Sequence, residues 1–222
     1  LRQHAEAGGL VLGICGGYQM LGLEIHDPLG VEGGGCQEGL GLLPVSTTFT
    51  QEKTLCSSMG GTLQLEGPFA SLSNLDVAGY QIHMGQTTLE GGVPFCLLGD
   101  NGDAAGNTAQ SYTCGNDSNT AYDQRGRTPS NSRLDGDAVQ STYEDGCVAG
   151  TVIGTYLHGL FDSVPFTQAL IDMLLARKGM LSAHINAQDR AARREQQLDM
   201  LADTLRSSLD IDLVYRILEE GI

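Results

Sequence analysis

The chain opens on a polar stretch, "LRQHAEAG", closed by Gly8 and Gly9, and then runs into an apolar segment from Leu10 to Ile14. Paired glycines behind a polar, alanine-containing stretch end a helix. A short, bounded apolar run has the length and pattern of a buried parallel strand. Behind the glycines that follow, "YQMLGLEI" can start a helix, so strand, sharp turn and helix are expected in succession. "GLGLLPV" (39–45) and "TLCSSMGGTLQLEG" read as further strands and turns, and "GVPFCLLG" and "CVAGTVIGTYLHG" supply two more apolar, β-branched runs.

From Gly99 to Arg133 the pattern dissolves into Asn, Ser, Thr, Gly, Asp and Gln, too little apolar surface to offset ordering entropy, which predicts a surface insertion. The last third turns helical. "SVPFTQALIDMLLARKG" has Asp162 or Ser163 as cap, Pro165 in its first turn, apolar residues at 166, 170, 173 and 174, and Gly179 as terminator. A second helix over about 188–208 carries Leu198, Leu201, Leu205 and Leu209 on one stripe, with Arg190, Arg193 and Arg194 on a solvated face, and Asp210 caps a short final helix. Strands interspersed with helices predict an α/β fold, one domain over 1–222 with a C-terminal helical extension over 181–222.

With 222 residues, 41% of them apolar, one globular core is the natural outcome. A formal charge of −15 disfavours polyanionic partners such as nucleic acid or an anionic membrane surface. The six cysteines lie at wide, irregular spacings without CxxC or CxxxH, so neither a metal site nor a disulfide framework is signalled. No apolar run is long enough to span a bilayer and no secretory leader is apparent, which fits a cytoplasmic enzyme. The chain reads as beginning in mid-fold, since Leu1 is not a methionine and the first residues look like the last turns of a helix.

The candidate chemistry lies in "GICGGYQMLG". A thiol at a strand-to-helix turn is exposed and meets the helix N-terminal dipole, which favours the ionised sulfur. Cys15 is so placed, and Gly13, Gly16 and Gly17 would permit the tight backbone of an elbow, with the Gly16 amide aimed where an oxyanion forms. A buried core thiol beside a glycine-rich turn is the weaker reading, because three glycines are costly unless geometry requires them. Such a nucleophile needs a base. His158, at the end of the apolar run "TVIGTYL", is the first candidate and His83 in "GYQIHMG" the second; His4, His26 and His184 read as surface residues. From the residues alone, catalysis and a hydrogen-bonded structural role for His158 stay equally open.

At these residues the chain resembles the class I glutamine amidotransferase domains of the cobyric acid synthase type. The resemblance rests on "GICGGYQMLG", "DPLGVEG", "GLGLLPV", Lys53 behind "TTFTQE", "GYQIHMG", "GTYLHGLFD" and the tail "DMLADTLRSSLDIDLVYRIL", in that order. It covers nearly the whole chain outside 99–133, and it implies a doubly wound, mostly parallel sheet truncated at its N-terminus.

The resemblance further implies that Cys15 attacks the side-chain amide of glutamine to form a thioester and release ammonia, while His158 relays the proton. Gly16, Gly17 and Gln19 would shape the oxyanion and glutamine site. In the family, ammonia passes to an ATP- and Mg-dependent domain that amidates the b, d, e and g carboxylates of adenosylcobyrinic acid a,c-diamide. The resemblance places that domain upstream, and no GxxxxGK[ST] loop occurs in this sequence. No cofactor or metal is expected in this chain.

Many class I amidotransferases orient the histidine with a glutamate two residues later; here that place is Leu160, and Asp162 serves either as a substitute or, the favoured reading, as a helix cap. Read as a truncated piece, the chain is expected to hydrolyse glutamine weakly if at all. The alternatives are an amidotransferase with another acceptor, cobyrinic acid or a cell-wall lipid intermediate, and a non-catalytic fragment of the same fold.

Overall fold

The computed structural model describes residues 1–100, 142–180 and 190–220. The contacts divide the chain into two units, 1–185 and 186–222.

In the first unit, α1 (Arg2–Glu6) ends at the glycine pair and β1 (Val11–Ile14) follows. A sharp turn at Cys15 leads into α2 (Gly16–Leu21), whose Tyr18 and Leu21 are buried. The helix stops there: Gly22 takes an extended conformation, and Glu24–Asp27 forms β2 instead of continuing the helix as the apolar spacing suggested. β3 (Gly35–Glu38) pairs with β2, and then come two long strands, β4 (Val45–Thr62) and β5 (Asp76–Leu89), joined through a 3-10 turn at Gly67–Leu72. β6 (Cys96–Asp100), β7 (Thr142–Asp145), β8 (Cys147–Ala149) and β9 (Val152–Thr155) complete the strands of the described residues. A 3-10 turn at Leu160–Asp162 and α3 (Val164–Arg177) follow.

Two sheets result. One has the order β1-β9-β8; the other runs β3-β2-β4-β6-β7, with β5 added to β4. The α/β class and the C-terminal helices are as the sequence indicates, but the pairing is less parallel than the resemblance implied. Among the described residues, β1–β9 and β2–β4 are parallel, whereas β2–β3, β4–β5, β4–β6, β6–β7 and β8–β9 are antiparallel. Local pattern cannot register this, because the partners of a strand are chosen by the connections that bring it back into the sheet, and these permit antiparallel return.

One apolar cluster, with Phe69, Leu72, Phe95, Leu98, Ile153, Leu157, Leu160 and Phe166, packs α3 and the 3-10 turns onto strand residues. A second, around Tyr18, Leu43, Val45 and Tyr156, seats α2. Of the two expected caps of α3 the structure uses Ser163, whose Oγ accepts from the Phe166 amide at 3.4 Å; Asp162 instead ends the preceding 3-10 turn, against the favoured reading of it as the cap. Phe166 and Met173 bury their side chains, Leu170 is partly buried and Leu174 is exposed, so the apolar stripe of α3 is narrower than its sequence suggests.

The second unit holds α4 (Arg190–Ser208) and α5 (Ile211–Glu220), with Asp210 accepting from the Leu213 amide at 2.9 Å as the expected cap. Among the described residues no helix is long and apolar enough to cross a membrane. The expected polar insertion lies outside the described residues apart from Gly99 and Asp100, which close β6. His184 also lies outside them.

Candidate active site at the ends of β1 and β9

β1 and β9 run parallel in register from Val11↔Val152 to Ile14↔Thr155, and the Cys15 amide extends the ladder by donating to the Thr155 carbonyl at 2.9 Å. Cys15 and the residues just beyond Thr155 therefore leave the same end of neighbouring parallel strands, the edge where open α/β sheets place their ligands.

Cys15 has φ 54° and ψ −116°. A positive φ is uncommon outside glycine and costs on the order of 1–3 kcal/mol, so it persists only where its surroundings enforce it. Here the enforcement is visible on both sides: the amide is tied to Thr155, and the Cys15 carbonyl accepts from the Gln19 amide at 3.1 Å as the first bond of α2. Of the three glycines expected to serve the bend and a close approach, only Gly13 shows such an approach. A Cβ on Gly13 would lie 2.4 Å from Leu21 Cδ1 and 2.8 Å from the Gly17 backbone, so Gly13 permits a close approach. At Gly16 and Gly17 a Cβ would meet nothing within 4 Å among the described residues, and neither has a positive φ. The strain sits on the cysteine itself.

The Cys15 thiol donates to the Ile82 carbonyl at 3.4 Å. Ile82 belongs to β5, and two residues earlier on the same strand Tyr80 pairs with His158: the His158 amide donates to the Tyr80 carbonyl at 2.8 Å, and the Tyr80 amide to the His158 carbonyl at 3.2 Å. Residues two apart on a strand present their backbone groups to the same edge, about 6.6 Å apart. One edge of β5 thus holds Cys15 at one step and His158 at the next. The Tyr80 and His158 rings also stack, 4.9 Å between centroids and 5° from parallel. This approach requires Gly79, since a Cβ there would lie 1.8 Å from the His158 carbonyl oxygen. The Nε2 atom of His158 is buried and finds no hydrogen-bond partner among the described residues.

His83, next along β5, stacks on Tyr156 with centroids 3.7 Å apart, and its Nδ1 donates to the Gly85 carbonyl at 2.8 Å, which leaves Nε2 as the acceptor of the neutral ring. Burial pushes the affinity of His83 for a proton below the ordinary histidine value, nearby His158 adds to this, and the Gly85 bond opposes it. His83 is therefore neutral at pH 7. Gln19 is buried and donates from Nε2 to the Tyr156 hydroxyl at 3.2 Å; that hydroxyl lies 2.6 Å from Thr87 Oγ1, which lies 2.7 Å from Thr47 Oγ1. A buried hydrogen-bonded chain thus ties α2 to β5 and β4 behind the site.

Leu160 is fully buried in the core. Asp162 turns back toward Gly159, with Oδ2 3.5 Å from where a Cβ on that glycine would sit. Sequence reasoning missed Tyr80, Ile82 and Asp145. Asp145, at the end of β7, is buried; it accepts from Thr155 Oγ1 and, at 3.2 Å, from the Tyr156 amide. Burial, the largest influence, raises its carboxyl above the ordinary range against these bonds. No local signal in "TYEDG" marks this carboxylate, because its partners lie a sheet away. The five described cysteines are free; burial raises the thiols of Cys96 and of Cys147, the latter to about 11, which keeps both protonated.

Residues 1–166 match the family model described as CobB/CobQ-like glutamine amidotransferase domain. Curated relatives named cobyric acid synthase include one from Lachnoclostridium phytofermentans, 35% identical over 96% of this chain and 36% of its own length. Another, from Ruminiclostridium cellulolyticum, is 35% identical over 100% of this chain and 37% of its own. A third, from Salmonella heidelberg, is 37% identical over 99% and 36% respectively. The chain spans little more than a third of the length of these relatives. With the thiol elbow and the two histidine-bearing segments in the places described, the chain belongs to the CobB/CobQ-like glutamine amidotransferase domain family.

Proposed function

We propose that this chain releases ammonia from glutamine through a thioester on Cys15, with His158 moving the proton, and that the ammonia serves the ATP-dependent amidation of corrinoid carboxylates by a partner domain. The observation that carries the reading is the strained backbone of Cys15, φ 54°, at the end of a parallel strand: strain held from both sides at one thiol is what a nucleophile elbow stores.

In this scheme the Cys15 sulfur, its proton passed to His158, attacks the amide carbon of glutamine. His158 returns the proton to the departing nitrogen, which leaves as ammonia. Water, deprotonated by the same imidazole, then cleaves the thioester to glutamate, so one glutamine and one water yield one glutamate and one ammonia. The Nε2 of His158, unpartnered among the described residues, supports the reading, since a buried nitrogen without a partner is costly unless a substrate or a transferred proton supplies one. The open space beside Gly16 and Gly17 supports it as well, as room for the substrate's amide next to the sulfur. His83, neutral and stacked, would act as the wall of this site, and Gln19 would hold that wall through Tyr156. ATP and Mg2+ would act in the partner domain, together with the acceptor, adenosylcobyrinic acid a,c-diamide.

The test is an assay of this chain joined to such an ATP-dependent partner. Cys15→Ala should abolish glutamine-driven amidation and leave free ammonia as a usable donor. Retention of glutamine-driven activity would remove Cys15 from the reaction.

A further inference from the structure

A second cluster of reactive side chains lies away from this site, on the β2–β3 pair. Glu24 and His26 are two residues apart on β2 and so share one face of the strand. His26 stands directly opposite Cys36 in the antiparallel register, a placement that brings facing side chains together. Glu24 Oε2 is 3.0 Å from His26 Nε2, and one donor atom from each of Glu24, His26 and Cys36 falls within 4.8 Å of the others.

We propose that Glu24, His26 and Cys36 form a binding site for a borderline divalent cation of the Zn2+ kind, with water as fourth ligand. The donor set argues for this class. One sulfur, one imidazole nitrogen and one carboxylate oxygen suit zinc and its neighbours, whereas calcium and magnesium take oxygen ligands. Metal–ligand bonds of about 2.0–2.3 Å in a tetrahedron put donors about 3.3–3.8 Å apart, so closure of the widest edge takes about 1 Å of side-chain movement.

The register that delivers Cys36 to His26 is already fixed. The Asp27 carboxylate accepts from the amides of Val31 at 2.8 Å, Glu32 at 2.7 Å and Gly34 at 2.8 Å, which pins the connection between the two strands. β3 is the edge strand of its sheet and Cys36 is exposed, so solvent can fill the remaining coordination position. A bound ion would cross-link this edge strand to β2.

Titration of the reduced, full chain with Co2+, followed by displacement with Zn2+, tests the site. The expected result is a thiolate-to-cobalt charge-transfer band with tetrahedral d–d bands, abolished by Zn2+. Cys36→Ser and His26→Gln should each weaken Zn2+ binding at least tenfold, since altering even the partners of metal ligands costs about 10–100-fold. These side chains are exposed or half-exposed, so the variants should keep the parent's far-ultraviolet circular dichroism. Cys15→Ser and Cys56→Ser should bind Zn2+ like the parent. Absence of the thiolate band, undiminished binding in Cys36→Ser and His26→Gln, or loss of binding in Cys15→Ser would each overturn the assignment.

Discussion

His158 is bound to Tyr80 twice over, by main-chain hydrogen bonds in both directions and by ring stacking at 4.9 Å. The two are 78 positions apart in the chain, yet this pairing, together with the bond from the Cys15 thiol to Ile82, sets the two candidate catalytic groups on neighbouring steps of one strand edge. The position of the imidazole is therefore a property of β5 as much as of β9.

Tyr80 acts as a positioning residue in this account. Replacing Tyr80 with alanine removes the stacked ring but keeps the backbone pair. Aromatic contacts are worth about 0.5–1.5 kcal/mol, so kcat for glutamine hydrolysis should fall about 2- to 10-fold with KM little changed, and Tyr80→Phe should restore it. Steady-state kinetics on the two variants check this.

The glycines separate into two kinds with opposite consequences. Gly79→Ala would drive a Cβ into the His158 carbonyl oxygen and should cost about 1–3 kcal/mol of stability, measurable by denaturant unfolding. Gly16→Ala and Gly17→Ala meet open space within a helix, so they should leave stability unchanged or raise it by up to about 1 kcal/mol. The same two variants should lower kcat/KM for glutamine, because the methyl would occupy the room assigned to substrate.

Asp145 supports the backbone from Thr155 to Tyr156, just before His158. Asp145→Ala would leave the Thr155 hydroxyl and the Tyr156 amide unpaired in the interior, at about 1–3 kcal/mol for each buried group. Asp145→Asn keeps an acceptor and should cost less. The folded-state pKa of this carboxyl lies above its unfolded value of 3.8, so the protein binds the proton more tightly when folded. The associated stability is present below about pH 3.8 and is lost as pH rises through the raised value. The gap between wild type and Asp145→Asn in unfolding free energy should therefore shift in favour of the asparagine variant as pH rises across that window.

The sign is reversed for His83. Its folded-state pKa is lowered from 6.5 by burial first and by His158 second, so between that lowered value and about pH 6.5 the unfolded chain binds more protons. Stability should be flat above about pH 6.5 and decline as pH falls through the window. In His83→Gln that part of the decline should be smaller, as read from unfolding free energies at a series of pH values.

The local half of the site was legible in the sequence and the long-range half was not. The apolar run before Cys15 and the glycines around it announce strand, turn and helix, and β1 and α2 lie where that reading puts them. Glu24 and Ile25 look like the continuation of that helix only because apolar spacing ignores the extended backbone at Gly22. Ser163 and Asp162 are both capping residues, and only the geometry of the turn chooses between them. "GYQIHMG" drew attention through His83, but its backbone contacts, Gly79 and Tyr80 against His158 and Ile82 against Cys15, depend on a pairing that no local pattern encodes. Glu24, His26 and Cys36 escaped a search for metal spacings along the chain because their proximity comes from cross-strand register.

The central claim is that Cys15 is the nucleophile, and it is tested most directly by treating the chain with a glutamine-mimicking electrophile and mapping the adduct by mass spectrometry over time. Cys15 should be modified far faster than the other five thiols, with Cys96 and Cys147 protected by burial and the exposed Cys36 reacting only at the rate of a simple surface thiol. Labelling of Cys15 no faster than Cys36 would contradict it.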